Sequence, residues 1–161
     1  MKTLVMSFVI AATGLFNSAF AGNTVQQRFA YNTDTDSTGT EMQYIYKVSA
    51  DGQYLRHHLQ YRCTYDSQRR LLTKEILRWD AASAKYCPAY ALHYAYEGDA
   101  VTVECALWSR QDQAYTDVRE KAVYAADALG LTYQAYEYDA KADAWRLTGE
   151  HEVDAALLAE R

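Results

Sequence analysis

The sequence predicts an all-β domain, an antiparallel meander of repeated β-hairpins, curved or partly closed on itself. Three observations carry this. An octet bracketed by aromatics recurs as WDAASAKY (Trp79 to Tyr86), WSRQDQAY (Trp108 to Tyr115) and YDAKADAW (Tyr138 to Trp145). Tyr65, Tyr94 and Tyr124 each precede the first aromatic of an octet by 14 residues, so the repeat is 29 and then 30 residues long. Tyrosine is abundant, 15 against one proline and seven glycines, and the stretches between landmarks alternate with period two. A fixed period near 30 with several matching landmarks marks a repeated supersecondary unit.

Taken in order, the chain opens with MKTLVMSFVIAATGLFNSAFAGN: a lysine, an apolar run, then Ala19-Phe20-Ala21. That is the plan of a cleavable secretory leader over residues 1–21, cut before Gly22. The apolar run is shorter than the roughly 20 residues that span a bilayer. Residues 22–161 then form one β-repeat domain, and no later apolar run approaches membrane-spanning length. Residues 22–42, with the polar NTDTDSTGTE (Asn32 to Glu41), read as a partly flexible start and a loop. YKVSADGQY, Tyr46 to Tyr54, is a looser copy of the octet with one more residue between its aromatics.

Strands are expected at Leu71 to Trp79, Ala100 to Trp108 and Leu131 to Asp139. In the second, Val101, Val103, Cys105 and Leu107 fall on one side and Thr102 and Glu104 on the other. Turn chemistry in DSQR (Asp66 to Arg69), EGDA (Glu97 to Ala100) and ADALG (Ala126 to Gly130) joins strands into hairpins. The octets are then the reversals between hairpins. If Asp80 lies opposite Lys85 across Ala81 to Ala84, Trp79 and Tyr86 are opposed in an antiparallel pair, as are Trp108 with Tyr115 and Tyr138 with Trp145. Such pairs contribute roughly 0.2–1 kcal/mol each and fix register. Pro88 demands a bulge, an edge or a later strand start. Asp117 to Leu129 has helical spacing at Val118, Ala122, Ala125 and Leu129, yet its alignment with the other units favours strand. Residues 155–161 form a tail.

The formal net charge of −5 gives no basic face for nucleic acid, so none is expected as a partner. Three cysteines, Cys63, Cys87 and Cys105, are too few for a disulfide framework. They read as small apolar fillers or as one bond with a thiol left over. In a meander Cys63 and Cys105 lie three strands apart, about 14 Å, which argues against a bond between them. No catalytic residues, metal ligands or cofactor are expected. His57 and His58 are adjacent, so their rings point to opposite faces and cannot share an ion. No zinc spacing or glycine-rich phosphate loop occurs, and no serine sits on a strand-to-helix elbow. Glu137 and Asp139 have the spacing of one strand face, but solvated charge is the commoner use of such a pair.

Trp79, Tyr86, Trp108, Tyr115, Tyr138 and Trp145 are the weak ligand-binding set, for a glycan or an envelope protein that stacks on their rings. Their first expected role is structural. YRCTYDSQRRL (Tyr61 to Leu71), LRWDAASAKY (Leu77 to Tyr86) and QAYEYDAKADAW (Gln134 to Trp145) resemble a domain-of-unknown-function family of small secreted Bacteroidetes-type proteins. They are more distantly similar to the tyrosine-aspartate repeats of bacterial surface and toxin-shell proteins, without the strict glycine positions of those repeats. The resemblance implies an antiparallel β fold and no activity. The expected function is that of an exported, non-enzymatic binding or envelope-interaction protein, periplasmic or extracellular. The alternatives are a small periplasmic hydrolase and a purely structural envelope protein.

Overall fold

A computed structural model describes residues 27–126 and 130–154, and over these the chain folds as nine strands in one sheet. They are β1 (Phe29–Thr35), β2 (Glu41–Val48), β3 (Leu55–Tyr65), β4 (Leu71–Asp80), β5 (Lys85–Glu97), β6 (Ala100–Ser109), β7 (Ala114–Ala126), β8 (Gly130–Asp139) and β9 (Ala144–Asp154). Each pairs antiparallel with its sequence neighbour, and β1 and β9 stay apart, so the sheet is an open meander and not a barrel. No second layer covers it among the described residues.

Two faces share the burial. The aliphatic face gathers Ile76, Leu92, Tyr94, Val101 and Val103, with Leu59, Tyr61, Leu71, Tyr90, Tyr96, Cys105 and Tyr124 packed around them. This cluster leans toward the β5–β6 hairpin, where the Tyr96 hydroxyl donates to the Leu71 carbonyl at 2.8 Å and Arg70 lies 4.5 Å over the Tyr96 ring. The opposite face carries the octet aromatics and buries Leu77, Ala91 and Ala106. A single layer thus shields its two half-cores with its own large side chains.

Turn chemistry repeats along the chain. Asp36 accepts from the amides of Thr38 and Thr40, and Asp66 from those of Gln68 and Arg70, each carboxylate closing its own loop. These bonds hold both carboxyls below the ordinary carboxylate range, led by the Thr38 hydroxyl at Asp36 and the Arg70 amide at Asp66. In the octets Asp80 accepts from the amide of Ala82 and the hydroxyl of Ser83, and Asp139 from the amides of Lys141 and Ala142. The last loop residue of each octet is left-handed without being glycine: Ala84 at φ 51°, Gln113 at 50° and Asp143 at 51°. An L-residue there costs about 1 kcal/mol, so Ala84→Gly is expected to raise unfolding free energy by up to about 1 kcal/mol in chemical denaturation. A loss of stability would show that Ala84 is not held in this conformation.

The structure departs from the sequence expectation in one place. Asn32–Thr35 belong to β1 and pair with Gln43, Tyr44, Met42 and Glu41, so the polar loop shrinks to residues 36–40. The cause is an edge position: one flank of β1 faces solvent, so a strand of Asn, Thr and Asp loses nothing by being polar. In the looser copy of the octet Tyr46 is opposed by His57, with a bulge at His58. Pro88 is inside β5, opposite Leu77, and the strain is taken by a bulge that leaves Ala89 without a partner. Asp117 to Ala126 is strand, as its alignment with the other units requires. The leader, the 127–129 part of the ADALG turn and the tail lie outside the described residues.

Candidate functional site

The octet pairs occupy one face at one end of the sheet. Trp79 is opposed to Tyr86, Trp108 to Tyr115 and Tyr138 to Trp145, and Asp80 faces Lys85. Ring centroids are 5.0, 4.9 and 5.4 Å apart, all three pairs edge-on. That is the favoured geometry of aromatic pairs, worth about 0.5–1.5 kcal/mol beyond area. His57 joins the first pair: it stacks on Trp79 at 4.2 Å, lies 5.2 Å from Tyr46, and its Nδ1 is hydrogen-bonded to the Tyr86 hydroxyl at 2.8 Å. Tyr44 on β2 reaches within 5.9 Å of Tyr86 on β5. Three strand spacings are about 14 Å in a flat sheet, so the octet face is concave here.

The same curvature explains Tyr115. Its hydroxyl is buried without a hydrogen bond of normal geometry, yet it lies against Glu75 on β4 and near Arg62 on β3. Glu75, Ala91 and Ala106 form one cross-strand row, so the ring must cross the two alanines to reach Glu75, and both are fully buried. Burial, then the Glu75 charge, pushes the Tyr115 hydroxyl up to about 12. On the aliphatic face the Tyr94 hydroxyl is likewise buried without a partner. Removing an unsatisfied buried hydroxyl relieves a desolvation penalty, so Tyr94→Phe is expected to raise the melting temperature, by about 1 kcal/mol of stability. A loss of that size would reveal a partner for the hydroxyl.

Lys121 sits 4.4 Å over Trp145 and 5.2 Å from Tyr136, a cation held on the third octet pair. A shallow cleft at the β8–β9 reversal is lined by Glu137, Tyr138, Asp139, Lys141 and Arg146. Its carboxylates are in use: Glu137 accepts from Arg146 at 2.7 Å, and Asp139 closes its turn. His93 and His151 do not meet. His93 faces Glu104 on the octet side and makes a 3.4 Å contact with Thr73, whereas His151 stacks on Tyr133 on the aliphatic side. His57 and His58 point to opposite faces, as adjacent strand residues must. No group of three metal-ligating side chains occurs among the described residues.

Cys63, Lys74, Leu92 and Cys105 form one row across β3 to β6, which separates the two cysteines by three strands. All three thiols are free. Burial pushes Cys105 up to about 11 and raises Cys63 as well, so neither is an activated nucleophile.

Fold and surface together define an open, single-layer β-meander that presents aromatic side chains and no assembled catalytic group among its described residues. The chain belongs to DUF3836, described as a family of unknown function, which it matches over residues 1–126. The match ends with the last residue of β7, so the third octet and the β8–β9 hairpin lie beyond it. Among solved structures, a protein of unknown function from Bacteroides fragilis NCTC 9343 is similar at 19% identity and TM-score 0.66, over 80% of this chain and 94% of that one. A DUF3836 family protein from Parabacteroides distasonis ATCC 8503 is similar at 16% identity and TM-score 0.52, over 62% and 91%. At these identities the likeness speaks for the fold. No curated protein matches the chain.

Proposed function

We propose that the protein is an exported, non-enzymatic binding protein of the cell envelope that meets its partner with the surface of the sheet. The observation that carries this reading is the single layer: among the described residues nothing covers either face or either edge of the nine strands. The leader-like residues 1–21 support an envelope setting. Protein recovered from cells should begin at Gly22 by mass spectrometry, and a retained Met1 would count against export.

The octet rings of Trp79, Tyr86, Trp108, Tyr115, Tyr138 and Trp145 are the proposed contact for a glycan, which stacks on aromatic faces. The three tryptophans of the chain all lie on the octet face, so their fluorescence reports that face alone. Titration with envelope glycans should shift tryptophan emission, and a glycan array with no retained member would remove this contact from the proposal. A hydrolase reading has one observation in its favour: His93, Glu104 and Glu75 share the octet face. It requires turnover that His93→Ala abolishes.

A further inference from the structure

One corner of the sheet holds positive charge that no acidic side chain answers among the described residues. Lys47 and Arg56 are directly opposed across β2 and β3, and Phe29 faces Lys47 from β1. Arg78 on β4 lies opposite Leu59, and His58, set off by its bulge, stacks on Phe29 at 5.8 Å. Alternation places all of these on the aliphatic face. Burial, and then the charges of Lys47 and Arg78, hold the His58 imidazole below its ordinary value, so both cations are near its ring. The ion pairs among the described residues lie elsewhere, at Arg70 with Asp66, Arg119 with Asp117 and Arg146 with Glu137. Carboxylates of the adjoining turns are committed, Asp51 to Ser49 and Gln53, Asp80 to Ala82 and Ser83. Like charges directly opposed across strands destabilise the pair. An external anion would offset that cost, in a chain whose net charge is −5.

The same corner concentrates exposed apolar side chains. Phe29 and Tyr31, on the same face as the cations, are 41% and 64% exposed. The sheet curves toward the octet face here, which makes the aliphatic face convex and lets this corner project. We infer that this corner docks on an anionic lipid surface, with Lys47, Arg56 and Arg78 at headgroup phosphates and Phe29 and Tyr31, on the same face, in the interfacial layer. A soluble polyanion would use the cations and leave Phe29 and Tyr31 in water. Apolar side chains beside a basic cluster fit the two attractions of a charged bilayer surface. The inference rests on the envelope reading only for where such a surface is met, since binding to vesicles is a property of the folded chain.

The test is co-sedimentation of the chain from Gly22 with vesicles of phosphatidylcholine, with and without phosphatidylglycerol. Binding should be at least about tenfold stronger to the anionic vesicles and weaken with salt. Lys47→Gln, Arg56→Gln and Arg78→Gln together should weaken it on the order of a hundredfold, from roughly fivefold per cation, with a melting temperature no lower than that of the unsubstituted protein. Phe29→Ser with Tyr31→Ser should also weaken it, and Arg110→Gln with Lys141→Gln should not. Equal binding to both vesicle types, wild-type binding by the triple variant, or tight binding of heparin without vesicle binding would each overturn the inference. The envelope-binding reading survives such a failure if a glycan shifts tryptophan emission, and falls with it if neither assay shows binding.

Discussion

Trp79→Ala is expected to lower the unfolding free energy by about 2–3 kcal/mol in chemical denaturation, the largest single loss among the octet aromatics. The reason is the number of partners. Trp79 is stacked on His57, edge-on to Tyr86, and lies in the concave part of the face where Tyr44 and Tyr46 also converge. It ties β3, β4 and β5 together near their turn end, so its loss also weakens the His57 to Tyr86 hydrogen bond. Trp145 has fewer partners, Tyr138 and Lys121, and stands on edge strand β9. Trp145→Ala should therefore cost about 1 kcal/mol or less. Equal losses at the two positions would mean that the rings act independently of where the sheet curves.

The fold should fail in alkali between about pH 10 and 12. Burial is the leading cause that lifts Tyr65, Tyr115 and Tyr124 each to about 12 and Tyr94 further still. In the unfolded chain these hydroxyls ionise near 10. From about pH 10 upward the unfolded state therefore releases protons that the folded state keeps, and stability falls until the folded values are passed. Below pH 10 both states hold these protons, so the tyrosines add no pH dependence there. Tyrosinate absorbance should rise in a cooperative step that coincides with loss of the far-ultraviolet circular dichroism. Gradual titration near pH 10 with the strands intact would contradict the burial described for both faces.

Much of this architecture is legible in the sequence because strand pairing here is local. Every strand pairs with its neighbour in the chain, so an octet contains both partners of its own aromatic pair. Bulges are what the sequence hides. In β7 the unpaired Thr116 and Arg119 shift the alternation twice, putting Val118 on the octet face and Ala122 on the aliphatic face, which imitates a helical spacing. At His58 a bulge separates two adjacent histidines onto a tryptophan and a phenylalanine from different strands. The role of His57 beside Trp79 was out of reach of octet spacing, since it comes from the strand before. The basic corner is hidden for the same reason: Lys47, Arg56 and Arg78 are far apart in the chain and meet only through register. The polar run from Asn32 misleads because an edge strand has no need of apolar residues on both faces.

The aromatics bracketing each octet are register pins, coupled across the strand pair before they are anything else. A double-mutant cycle of Trp79→Ala and Tyr86→Ala, read by denaturant unfolding, tests this most directly. The expected coupling is about 0.5–1.5 kcal/mol. Additive losses, with coupling near zero, would contradict it.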